Sequence, residues 1–141
     1  MENKKTIKVL IKEPYKPPYV KEIEDKLKNL QEIVGGYIEC VEMPNVKGVD
    51  LYVNEEGKLE GQLGNFWLPE YEDCVVGTCF MVGSNDEGEL ESITDKQIKE
   101  CCNYIDFFKI PNNRDLYLYF NELQEYMKTQ KAKYKSATME M

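Results

Sequence analysis

Residues 6–43, TIKVLIKEPYKPPYVKEIEDKLKNLQEIVGGYIECVEM, decide the architecture, because they change hydrophobic period twice. Thr6 to Glu13 alternates, with Ile7, Val9 and Ile11 on one face, which is the period-two signature of a strand. Pro14, Pro17 and Pro18 then enforce an extended turn, and Pro18 suits the first turn of a helix, where a missing N–H costs nothing. Val20, Ile23, Leu27, Leu30 and Val34 follow at spacings of three and four, giving one apolar stripe. Gly35-Gly36 ends that helix through a left-handed cap, and Tyr37 to Met43 returns to strand. The expectation is a βαβ unit with a right-handed crossover and parallel strands.

Downstream, Val49 to Asn54 reads as a third strand, and Glu55-Glu56-Gly57-Lys58 as a hairpin turn returning through Leu59 to Gln62. Gly64 to Asp73 reads as an aromatic loop. Cys74 to Gly83 is apolar on both faces, which predicts a central strand covered on each side. Thr94 with Gln97 forms a capping box, stapled by Ile93 and Ile98, for a helix running to about Tyr104. Asn113 or Asp115 caps a last helix, with Leu116, Tyr119, Phe120, Leu123 and Met127 on one face. The fold class is therefore α/β or α+β: a mixed sheet of four to five strands flanked by about three helices. Residues 1–110 form the domain, 111–134 a C-terminal helix packed on it or on a partner, and 135–141 a frayed tail.

At 141 residues the chain is one domain long, and 42% hydrophobic with 31% charged residues is a globular composition. Met1 to Lys5 run into a charged, strand-like segment, and the longest apolar run, Cys74 to Gly83, is half the length a membrane span needs. A cytoplasmic protein with no membrane partner is expected. The net charge of −8 argues against direct nucleic-acid binding, which Lys and Arg drive. Four lysines against two glutamates after position 124 leave −10 on the remaining residues, an acidic body with a short basic tail.

There is no histidine, which removes the commonest general base and metal ligand together with every Ser-His or Cys-His nucleophile. The acidic clusters Glu55-Glu56, Glu70 to Asp73 and Asp86 to Glu89 read as solvated turns, with a divalent-metal enzyme as the distant alternative. Neither Gly35-Gly36 nor Gly83 sits in a phosphate-loop pattern. The five cysteines lack chelating spacing, so no catalytic residue, metal ligand or cofactor is assigned.

Gly35-Gly36-Tyr37-Ile38-Glu39, Leu51 to Leu59 (LYVNEEGKL), Asn65, Val75-Val76-Gly77-Thr78, Asp86-Glu87-Gly88-Glu89 and Ser92-Ile93-Thr94 recur in an order that resembles the domain-of-unknown-function family 3846. The resemblance covers residues 7 to 104. It implies a setting in bacteriophages, plasmids and their bacterial hosts, and hence the cytoplasm of a bacterial cell, with no activity attached. Asn54 and Asn65 match characteristic positions of the pattern and become candidate site residues.

Two surfaces are candidates for binding. Asn65, Phe66, Trp67 and Tyr71, with Asn54, would suit a planar, nucleotide-like ligand, or would cap the sheet as core. Tyr15, Pro17, Pro18 and Tyr19 follow the C-terminal end of the first strand, where α/β sheets tend to bind ligands, or form a rigid connector. Lys12, Lys16 and Lys58 are the cations near enough to meet a phosphate. Tyr117 and Tyr126 lie off the stripe of the last helix and would mark a homodimer seam, with packing on its own sheet as the alternative. The leading expectation is a non-enzymatic accessory protein of a phage or mobile element that binds a host protein or complex, such as a defence component. A nucleotide-like ligand-binding protein is the alternative.

Overall fold

A computed structural model of the chain describes the backbone at residues 5–110 and 120–139, and side chains at 5–110 and 128–138. β1 (Thr6–Lys12), β2 (Tyr19–Glu24), β3 (Ile38–Glu42), β4 (Val49–Asn54), β7 (Cys79–Ser84) and the short β8 (Leu90–Glu91) build the main sheet. Its order is β2-β1-β7-β4-β3, with β8 added to β7. β5 (Gly64–Leu68) and β6 (Asp73–Val76) pair as a separate two-stranded sheet. Among the described residues three α-helices complete the α+β fold: α1 (Leu27–Val34), α2 (Asp95–Phe108) and α3 (Phe120–Met139).

The expected long first helix is half strand. Tyr19 to Glu24 folds back on β1 as an antiparallel hairpin, with Ile11 opposite Tyr19 and Thr6 opposite Glu24. Spacings of three and four permitted a helix through Val20 and Ile23, but the three prolines lack ladder donors and hold the connection at 13–18 short. The returning backbone then meets the open edge of β1, and β-branched Val20 and Ile23 suit it. Val20 remains exposed, as it would not be on a buried helix stripe. Only Leu30 and Val34 of that stripe are buried on α1, which ends at Gly35 with φ +80°. The crossover persists with a different start. Each neighbouring pair is antiparallel, so β2 and β3, at opposite edges, run the same way and α1 joins them, whereas β1 and β3 are antiparallel.

Cys74 to Gly83 also divides. Gly77 adopts φ +71°, which breaks the pleat and sends β6 to the small sheet and β7 to the centre of the large one. Cys74 and Cys79 consequently lie in different sheets. β7 is buried on both faces. Phe80 and Val82 pack with Ile7, Val9 and Ile11 of β1 and Leu30 and Val34 of α1. Cys79 and Met81 face the larger core of Leu10, Leu51, Phe66, Val75, Cys101, Tyr104 and Phe108. Each such buried aliphatic or aromatic side chain contributes about 1.5–3 kcal/mol of transfer free energy.

Residues 55–61 form turns without returning as a strand, and the expected loop at 64–73 is mostly the β5–β6 hairpin. α2 carries the Thr94–Gln97 capping box and continues past Tyr104 to Phe108. α3 packs on α2 through Tyr134, whose ring lies 5.3 Å from Tyr104 and 5.4 Å from Phe107. It extends past the expected end at 134. Asn113, Asp115, Leu116, Tyr117 and Tyr119, and the side chains of Phe120, Leu123, Tyr126 and Met127, lie outside the described residues. Among the described residues no helix is long and apolar enough to cross a membrane.

Candidate functional site

Lys12 ends β1 on the face shared with Leu10, and both are buried. It lies opposite Cys79 in the β1–β7 ladder. Its ammonium donates to the Glu13 carbonyl at 2.6 Å and to Asn65 Oδ1 at 2.9 Å. Asn65, fully buried, returns two bonds from Nδ2, to the carbonyls of Lys12 (2.8 Å) and Gly77 (2.9 Å). One amide thus ties the end of β1, the start of β5 and the turn before β7. Burial lowers the Lys12 pKa from its usual 10.5; Cys79 and Glu13 pull it up, and Lys109 pushes it down.

A cleft of about 690 Å³ opens over this lysine. The β1–β2 connection gives one wall, Tyr15, Lys16, Pro17 and Pro18; the last turns of α2 and the residues after it give the other, Cys102, Ile105, Asp106, Lys109 and Ile110. The second wall is fixed to β5, because the Ile110 amide donates to the Asn65 carbonyl and Lys109 bridges Phe66. Tyr15 holds φ +64°, in the left-handed region that costs a non-glycine residue about 1–2 kcal/mol. The volume lies in the range typical of small-molecule sites, and the mixture of apolar walls with few cations matches their chemistry.

The candidate residues disperse. Tyr15 lines the cleft, whereas Tyr19 begins β2 with 44% of its surface exposed. Phe66 is wholly core, edge-on to Tyr104 at 6.5 Å. Trp67 packs against the same core, and its buried Nε1 has no acceptor among the described residues. Tyr71 lies at the surface and donates to the Glu42 carbonyl at 2.8 Å. Asn54 reaches from Nδ2 to the Val34 carbonyl at 3.1 Å, an orphan acceptor of the last turn of α1, and accepts from the Glu56 amide at 2.8 Å. A Cβ on Gly36 would sit 3.0 Å from Asn54 Nδ2, so the Gly35-Gly36 and Asn54 motifs form one clamp. Asn54 also borders a second depression, of about 260 Å³. Lys58 pairs with Asp73, away from Lys12 and Lys16.

Sequence reading missed the helical wall, because the helix was expected to end near Tyr104. The signal was present: Cys101, Tyr104, Ile105 and Phe108 follow the i, i+3, i+4, i+7 pattern and are all buried. All five cysteines are free, and burial holds Cys79 and Cys101 up at about 12 and Cys74 at about 11, so these thiols stay protonated. Among the described residues no three His, Cys, Asp or Glu side chains converge to hold a metal ion.

Comparison with curated proteins and with solved structures finds no match for the chain. The model of one family, described as a domain of unknown function (DUF3846), matches residues 7–109, and the chain belongs to that family.

Proposed function

We propose that this protein is a small-ligand-binding protein whose site is the cleft between the β1–β2 connection and the end of α2. The observation that carries this reading is the cleft itself, about 690 Å³ with Tyr15 held against its preferred backbone conformation on one wall. Strain of that kind persists where the surrounding structure over-determines it, and it concentrates at ligand clamps. Pro17 and Pro18 stiffen the same wall, so little conformational entropy is left to lose on binding. The ligand that fits has an apolar or planar body, such as a nucleobase.

A role as a mobile-element accessory protein acting on a host factor draws on the resemblance and the acidic balance alone. The cleft offers formed walls and a defined chemistry, so ligand binding takes precedence. Sequestering a small signalling molecule would reconcile the two.

Native mass spectrometry of the protein purified from cells without denaturation tests the reading. A reproducible small-molecule adduct, lost in Tyr15→Gly and kept in Tyr71→Phe, is expected. A bare mass, together with no thermal stabilisation by any member of a fragment library, would overturn it.

A further inference from the structure

The floor of the cleft carries a charge with no counter-charge bonded to it among the described residues. Lys12 is only 3% exposed, and lysine is almost never buried this deeply without a charged partner. Its two hydrogen-bond acceptors are neutral oxygens, and among the described residues no carboxylate lies within ion-pair distance of it. The nearest acid in sequence, Glu13, offers it a carbonyl and pairs its carboxylate with Lys16 at 3.8 Å. Two bonds also leave the third N–H of the ammonium without a partner among the described residues.

Around it stand two ion pairs, Lys16 with Glu13 and Lys109 with Asp106, which leave the Lys12 charge unbalanced among the described residues. Among the described residues that line the cleft, Lys12, Lys16 and Lys109 face one acid, Asp106, which pairs with Lys109 at 2.8 Å. Three lysines against Asp106 and Glu13 leave the described residues of this concavity one positive charge in excess, in a protein of net charge −8. Such a site admits a compact anion, while the acidic body repels an extended polyanion. An oxyanion reaching the floor would supply the counter-charge that burial stripped of water, through a charge-assisted hydrogen bond.

We propose that the cleft selects small organic oxyanions, a phosphate or carboxylate on an apolar or planar body, with Lys12 as the buried counter-ion and Lys16 and Lys109 at the rim. This rests on the reading of the cleft as the binding site. Binding is coupled to protonation. The groups facing Lys12 are Glu13 beside it, Lys16 on the connection, Asn65 on β5, Cys79 on β7, and Asp106 and Lys109 from α2 and its end. Cys79 stays neutral, so a bound anion is the strongest new influence and raises the affinity of Lys12 for its proton. Protons are taken up on binding, and affinity falls as pH rises through the lysine's lowered range towards 10.5.

The test is calorimetric titration of the full chain with phenyl phosphate, benzoate and benzyl alcohol, the last a neutral counterpart. At least one anion binds and the alcohol does not. Lys12→Met weakens anion binding by roughly thirtyfold or more, the effect of deleting a buried charge partner. Lys16→Gln weakens it only severalfold. Equal binding of benzyl alcohol, or anion affinity unchanged in Lys12→Met, overturns the proposal while leaving the cleft as a ligand site. Failure of both anions also overturns it, and the native-mass experiment then judges the cleft separately. Should Lys12→Met not fold, wild-type titrations in buffers of different ionisation enthalpy decide, between neutral pH and 10.5. Net proton uptake supports the coupling, and none overturns it.

Discussion

Residues 15–19 and 64–71 both pack aromatics beside a strand end, yet they end in opposite environments. Phe66 is fully buried and Trp67 packs against the same core, because β5 is covered on both faces and its pairing with β6 holds the segment inward. The prolines of the first segment prevent an equivalent pairing. Pro17 and Pro18 have no N–H for a ladder, so the chain arches and leaves space beneath it. The two regions meet at one contact, Lys12 Nζ to Asn65 Oδ1, at 2.9 Å. The stretch with more apolar aromatic surface became core; the stretch whose prolines lack a ladder donor became a cleft wall.

The comparison breaks if residues 64–71 bind rather than pack. Phe66→Ala is expected to cost the most, about 3–5 kcal/mol, because it opens a cavity beside Tyr104. Urea denaturation measures it, and a loss under 1 kcal/mol would show that the segment is not core. Asn65→Ala comes next, at about 2–3 kcal/mol. It strands the Lys12 and Gly77 carbonyls and removes an acceptor from the buried ammonium. If Asn65→Ala instead unfolds as wild type does, the bridge between the two regions is not structural.

The part of this arrangement legible in the sequence was local. Thr94 and Gln97 lie three residues apart and make their capping box wherever the helix goes, and Gly35 supplies its left-handed cap in the same way. The doubly buried character expected for Cys74 to Gly83 holds for its second half, Cys79 to Gly83, since only a central strand tolerates an apolar run on both faces. Gly77 sends the first half to the other sheet. What escaped was partner choice. Val20 and Ile23, three apart, fit a helix stripe and fall on opposite faces of a strand, yet both are β-branched, and the open edge of β1, invisible in one dimension, decided for the strand. Asn65 was singled out because it matches the family pattern beside an aromatic stretch, but that Lys12 and Gly77 are its partners is a long-range fact that one dimension does not carry. Lys12 shows the converse. It sits in phase with Leu10 on a strand covered on both faces, and that phase alone placed a charge inside.

Lys12 sharpens the comparison through pH, with an effect smaller than either truncation. Its pKa in the folded chain lies below 10.5, chiefly through burial, so over that window the unfolded chain binds the proton and the folded one does not. The Lys12 contribution to stability therefore rises as pH climbs from the lowered value towards 10.5. The buried thiols, held above their ordinary range, contribute in the opposite direction, so the difference between wild type and Lys12→Met isolates the lysine. Lys12→Met should lack this component. Denaturation of both proteins across the alkaline range checks it, and coincident pH profiles would mean that the ammonium keeps ordinary hydration in the fold.

The smallest stability effect belongs to Tyr15, and its smallness is informative. Glycine adopts φ +64° without strain, so Tyr15→Gly recovers about 1 kcal/mol in the folded state. It also frees the unfolded chain, which costs about 0.5–1 kcal/mol. The two nearly cancel, and thermal unfolding should move little. Tyr71→Phe, which removes the bond to the Glu42 carbonyl in the other region, should cost about 1 kcal/mol and leave the cleft intact. The pair separates two reasons for keeping a tyrosine at a surface. If Tyr15→Gly destabilises by several kcal/mol, its ring is packing and its strain is incidental. If stability holds while ligand is lost, the strained backbone is maintained for what the ring contacts in the cleft.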